Sequence, residues 1–129
     1  MKSLVYTVTA VFLALGTALA DDFDGSKALI CATTEAMDCV AGDECTKGRP
    51  GDIGAPKFLR IDFSKKVIYG PKRSTSIVAM DTSDKQILLQ GKEMEFGWML
   101  ALDQESGNMT ASLLNREGVF ILFGSCTPL

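Results

Sequence analysis

The sequence predicts a mainly β domain: an antiparallel meander of about seven strands forming a small barrel or half-barrel, with one N-terminal α-helix packed on it and two disulfides. Three observations predict it. From Lys57 onward, apolar and polar residues alternate with a period of two between short turn-rich stretches. Residues 26–39 instead repeat apolar side chains near helical spacing. Four cysteines, Cys31, Cys39, Cys45 and Cys126, sit in a chain of 129 residues that opens on an apolar leader. A two-sheet sandwich is the second architecture that such a meander allows.

The first element is the leader. Lys2 supplies a positive charge, an apolar run extends from Leu4 to Leu15 with Thr7 and Thr9 as its only breaks, and Ala18-Leu19-Ala20 places small residues where a signal peptidase cuts. Residues 1–20 therefore read as a secretory signal peptide, too short for a comfortable membrane span, and no later segment is long and apolar enough to be one. Asp21 follows the cut where a lipoprotein would need cysteine. The expectation is a soluble product, periplasmic or secreted, with residues 21–129 as one disulfide-stabilised domain. That length buries roughly two-thirds of its unfolded surface around one core.

Charge narrows the partners. The net charge is −3, and losing Lys2 with the leader makes the remainder one unit more acidic. Its basic residues are scattered except between Lys57 and Arg73. Nucleic-acid binding needs a concentrated positive face, so that partner is disfavoured. Lys65, Lys66, Lys72 and Arg73 either meet an acidic partner or form solvated hairpin ends that keep an edge from pairing with other chains.

In the domain itself, Asp24-Gly25-Ser26 offers a helix start with Asp24 or Ser26 as the cap. Leu29, Ala32, Ala36 and Val40 then recur near helical spacing, and Gly42 ends the element. A helix over 26–39 holds Cys31 and Cys39 about 12 Å apart along its axis, beyond disulfide reach. Two connectivities remain. The favoured one is Cys39–Cys45, closed through a turn at Ala41-Gly42-Asp43, with Cys31–Cys126 joining the two ends of the domain. A coil from Asp43 to Pro56 is long for a compact domain, and long loops are more often functional than short ones.

The meander follows. Leu59, Ile61 and Phe63 alternate with Arg60, Asp62 and Ser64, and Val67 to Gly70 returns after a Ser64-Lys65-Lys66 turn. Strands over 76–81 and 86–91 come next, then Phe96, Trp98, Leu100 and Leu102 on one apolar face. Gly107 serves the following hairpin loop as a residue free to take positive φ. Met109 to Leu114 and Gly118 to Cys126 complete seven strands. The last is apolar at both parities: Phe120, Leu122, Gly124 and Cys126 are assigned to the helix, Val119, Ile121 and Phe123 to the sheet's core, and Gly124 to a close approach between helix and strand.

Catalytic and metal chemistry find little footing. No histidine occurs, which removes the commonest general base and the Ser-His-Asp and Cys-His arrangements, and the cysteine spacing lacks a Cys-x-x-Cys pair. Asp62, Asp81 and Asp103 are the carboxylates at strand positions, and Asp81 and Asp103 suit turn formation better than acid–base work. No catalytic, metal-binding or cofactor-binding residue is assigned. Trp98 is the single tryptophan, read first as core and second as one wall of a ligand cavity with Phe96, Met99, Leu100 and Met109.

Phe-Asp-Gly-Ser at residues 23–26 ahead of a cysteine-bearing helix, Phe-Leu-Arg-Ile-Asp-Phe at 58–63 and Phe-Gly-x-Cys-Thr-Pro-Leu at 123–129 resemble a family of small exported bacterial proteins. The resemblance implies export from a bacterial cell and brings no activity with it. At the level of fold alone the chain is similar to periplasmic lysozyme and protease inhibitors, which are small disulfide-tied barrels; no inhibitory loop motif of theirs is present. The functional expectation is a non-enzymatic binding module that engages a cell-envelope or extracellular protein, as an inhibitor in one form. The alternative is a carrier of a small apolar ligand in a barrel cavity near Trp98.

Overall fold

The computed structural model describes residues 22–129. The predicted leader, residues 1–20, lies outside them. Nine strands run in chain order: β1 (Leu29–Cys39), β2 (Thr46–Gly48), β3 (Phe58–Asp62), β4 (Val67–Tyr69), β5 (Ser74–Thr82), β6 (Gln86–Glu93), β7 (Phe96–Asp103), β8 (Asn108–Asn115) and β9 (Gly118–Pro128). A 3-10 turn over Pro50–Ile53 separates β2 from β3. All pairings are antiparallel, and β9 returns to pair with β1, so that β1 and the seven strands β3 to β9 form a closed eight-stranded barrel. β2 lies outside this ring, paired with the last part of β1 where β3 has ended.

The seven strands of the meander lie where the alternation places them. The predicted helix does not exist: residues 29–39 are β1, and no α-helix occurs among the described residues. The cause is a β-bulge. Leu29, Cys31 and Thr33 face inward at period two, and the register then slips between Thr33 and Glu35, so that the next buried residue is Ala36. One extra residue turns a strand pattern into the spacing 29, 33, 36, which is also the spacing of a helix face. The bulged Thr34 keeps its place by donating its hydroxyl to the Phe123 carbonyl at 3.2 Å.

A ring of purely antiparallel strands closes only with an even number of members, so seven strands needed an eighth. β1 supplies it, pairing with β9 along its whole length. Gly124 permits the closeness: a Cβ there would collide with the Ala32 carbonyl of β1. The close approach expected at Gly124 is therefore real, and its partner is a strand.

The last strand's two faces are exchanged relative to expectation. Leu122 and Cys126 are buried and point into the barrel, while Val119, Ile121 and Phe123 are half-buried on its outer wall. The coil over 43–56 likewise holds more structure than expected, namely β2 and the 3-10 turn.

The interior is filled in rows defined by register. Ile87, Leu102 and Met109 form one row, and Leu89, Leu100, Ala111, Leu122 and Ala36 the next. Ile77, Gly91, Trp98, Leu113 and Phe120 make the third. In that third row the Trp98 indole occupies the space a Gly91 side chain would need, and a Cβ at Gly91 would also stand 2.6 Å from the Ser76 carbonyl oxygen. The end of the barrel beyond the first row is closed by the segment ahead of β1. Gly25 packs against Ile87 and Phe63, and Phe23 lies on Gly107, whose φ of +75° is the positive value expected there.

Both disulfides pair as favoured from sequence. Cys31–Cys126 joins directly opposed residues of β1 and β9, and Cys39–Cys45 ties the end of β1 to the start of β2. The first closes a loop of 95 residues and the second a loop of 6. Cross-links act mainly on the unfolded chain, so the long loop carries the larger effect. Replacing Cys31 and Cys126 together by alanine is expected to lower unfolding free energy by about 4 to 5 kcal/mol, against about 2 kcal/mol for the Cys39/Cys45 pair. Denaturant titration of the two double variants checks the order, and equal losses would refute it.

Candidate functional site

The end of the barrel opposite the Phe23 plug is open. A cavity of about 710 Å³ enters there, within the range of small-molecule sites. Its inner wall is made by the ends of strands: Leu59 of β3, Ile68 of β4, Phe96 of β7, Leu113 of β8 and Phe120 and Leu122 of β9. Phe96 and Phe120 are neighbours, with ring centroids 5.9 Å apart at a tilt of 42°. The outer wall is the segment from Gly51 to Pro56, which brings Ile53 and Ala55 over the mouth. Pro71, Lys72, Arg73 and Ser74 form the third side, with Glu93 and Met94 beside them.

Each wall has a local cause. Pro50 starts the 3-10 turn, the Asp52 carboxylate accepts the Arg49 backbone N–H at 2.9 Å, and Gly54 ends the turn at a φ of +74°. The buried Thr33 then fixes the segment to β1. Its hydroxyl donates to the Pro56 carbonyl at 2.7 Å and its N–H to the Lys57 carbonyl at 3.0 Å. On the far side, Gly70 and Arg73 close the β4–β5 turn through a backbone bond of 2.7 Å.

Met94 breaks a local rule. It begins the two-residue connection between Glu93 and Phe96, with a φ of +53°. Hairpins favour glycine, asparagine or aspartate at such a position. A methionine there costs about 1–2 kcal/mol relative to an ordinary conformation. It also leaves its side chain 68% exposed at the cavity rim, where the Arg73 guanidinium donates to its sulfur. Lys66, in the β3–β4 turn at the other end of the barrel, has the same conformation with a φ of +54°, so it is the exposed apolar side chain of Met94 that is particular to the mouth.

The residues proposed from sequence as cavity wall are distributed differently. Phe96 lines the cavity. Trp98 is 8% exposed and lies below it, donating its indole N–H at 3.0 Å to the hydroxyl of Thr75, which does line it. Leu100 and Met109 are buried in the deeper rows, and Met99 is on the outer wall, 41% exposed. Phe120 and Leu122, read from sequence as helix contacts, are cavity residues instead. Ile53, Ala55 and Met94 carry no periodic signal because they sit in turns.

Of the basic group, Lys72 and Arg73 are at the rim, whereas Lys65 and Lys66 belong to the β3–β4 turn at the other end of the barrel. Arg73 Nε lies 3.6 Å from Glu93 Oε1.

The carboxylates serve turns. Asp62, buried at the end of β3, accepts from the Ser64 hydroxyl at 2.8 Å and the Lys65 N–H at 3.0 Å. Asp103 accepts the N–H groups of Glu105 at 2.8 Å and Ser106 at 3.0 Å. Asp81 stands exposed on β5 opposite Leu88. The Lys65 N–H, and then the Ser64 hydroxyl, hold the Asp62 carboxyl below the ordinary value of 3.8. The Ser106 and Glu105 N–H groups do the same for Asp103.

Comparison of the chain with protein-family models, with curated proteins and with solved structures finds no match in any of the three.

Two predictions follow from this geometry. Because the folded state lowers the carboxyl pKa values of Asp62 and Asp103, their stabilisation is complete above the ordinary value of 3.8 and disappears as pH falls through the depressed one. Unfolding free energies of Asp62→Asn and Asp103→Asn are therefore expected to fall short of the parent near neutrality and to converge on it in acid. A gap that widens on acidification would contradict this. Met94→Gly is expected to leave the thermal midpoint unchanged or higher, since release of the left-handed penalty of about 1–2 kcal/mol outweighs the entropic cost of glycine, about 0.5–1 kcal/mol. A lower midpoint would show that Met94 is unstrained.

Proposed function

We propose that this chain is an exported binding module that holds one small, largely apolar molecule in the open mouth of its barrel. The observation that carries the reading is the apolar mouth cavity of about 710 Å³ walled by Phe96, Leu113, Phe120, Leu122 and Ile53. Eight strands leave an interior that side chains can fill or that can hold one small ligand. Here the lower rows are filled and the upper end is not. Two disulfides support an extracytoplasmic setting, as does the predicted leader, and no helix among the described residues is long and apolar enough to cross a membrane.

A second reading, engagement of an envelope or extracellular protein, is supported by the outer wall. Cross-strand register places Met37, Ile121 and Met99 in one outward row, and Val119 and Leu114 in the next, with Leu114 53% exposed.

Trp98 provides the test, since it is the only tryptophan and touches the cavity through Thr75. Titration of the exported protein with N-phenyl-1-naphthylamine, decanol and decanoic acid is expected to change Trp98 emission saturably at one-to-one stoichiometry. Phe120→Asp, which puts a charge on the cavity wall, is expected to weaken binding by about tenfold or more while unfolding stays cooperative. Absence of saturable binding by every probe would remove the ligand reading, and loss of partner capture in Leu114→Lys with ligand binding intact would favour the second.

A further inference from the structure

We infer that the molecule held in the mouth is a single-chain amphiphile with a carboxylate head, a free fatty acid, lying tail-inward with its head between Lys72 and Arg73. This rests on the cavity reading above and adds the ligand's chemical class and orientation.

The depth of the cavity offers a ligand no free polar group. Thr75 is the polar side chain nearest Trp98, and its hydroxyl is engaged in both senses: it accepts from the indole N–H at 3.0 Å and donates to the Lys92 carbonyl at 3.2 Å. The other inner residues, Leu59, Ile68, Phe96, Leu113, Phe120 and Leu122, are all apolar. A polar group carried into that region would lose its water without gaining a partner. The ligand is therefore apolar along the buried part, with any polar group at the rim.

The rim carries opposite instructions. Its charged residues are Lys72, Arg73 and Glu93, an excess of one positive charge. Lys72 makes no ion pair among the described residues. Arg73 meets Glu93 loosely at 3.6 Å through Nε and is 64% exposed, and its Nη2 group has no protein partner among the described residues. Arg73 and Met94 both line the rim. A planar fork of donors suits a carboxylate, and a single negative head balances the excess charge. A cationic head would meet Lys72 and Arg73 as like charges.

The test compares decanoic acid, decanol and decyltrimethylammonium at neutral pH and low salt, each displacing the neutral probe N-phenyl-1-naphthylamine. The acid is expected to bind about two- to fivefold tighter than the alcohol, as an exposed ion pair allows, and the ammonium weakest. Added salt should shrink the advantage of the acid. In Lys72→Gln/Arg73→Gln the ratio of acid to alcohol affinity should fall to about one. Equal binding of acid and alcohol by the parent protein, or an acid preference that survives in the double variant, would overturn this inference while leaving the cavity reading intact. If the probe and all three compounds fail to bind, the cavity reading falls with it.

Discussion

The pairing of β1 with β9 is the constraint on which the rest depends. An antiparallel meander of seven strands ends with its first and last members parallel to each other, and it can close only through one further strand lying between them. β1 takes that place, antiparallel to β9 on one side and to β3 on the other. Two features make the seam durable. Gly124 lets the Ala32 carbonyl come near, and the Cys31–Cys126 bridge joins residues that face each other across it. Closure in this way leaves neither β1 nor β9 with a free edge toward the other.

The seam also builds the mouth. Phe120 and Leu122 belong to β9, and the segment carrying Ile53 and Ala55 is held to β1 through Thr33. Both walls are therefore positioned by the same pairing. The location of the cavity is decided by side-chain volume along the barrel. Ile87, Leu102, Met109 and the row above them fill the lower interior, and Trp98 fills the gap opposite Gly91. Above the indole the inward side chains, Phe96 among them, line the wall, and the space between them stays open.

A non-glycine residue at positive φ occurs at both ends of the barrel, Met94 at the mouth and Lys66 in the β3–β4 turn. Turns away from the mouth otherwise use the expected devices: aspartates accepting backbone N–H groups at the ends of β3 and β7, and Gly107 with positive φ. At the mouth, a methionine occupies a left-handed position, apolar residues sit in turns, and two cations remain near an apolar opening. What sets the mouth apart is the combination of an exposed apolar side chain at a left-handed position with two cations beside an apolar opening.

Much of the scaffold was legible from residues alone. Period-two alternation located the strands from β3 to β8 and a continuous apolar run located β9. The bridges were reached through a helix that is absent, and the pairing survives because Cys31 and Cys39 are farther apart still along the extended strand β1. β1 was misread because the bulge at Thr34 resets its parity, so that Leu29, Thr33 and Ala36 fall at helical intervals. Alanines at 32 and 36 strengthened that impression, and tertiary pairing overrode it. The faces of β9 were exchanged for the same reason, since a strand apolar at both parities takes its orientation from its neighbours. The cavity was not legible, because its walls come from segments far apart in the chain whose meeting is set by barrel closure. The strands of the meander and their turns are written in the sequence, because they arise from short-range periodicity and composition. Only the tertiary structure decided which faces point inward and where the interior stays unfilled, because both depend on the sum of side chains that closure brings together.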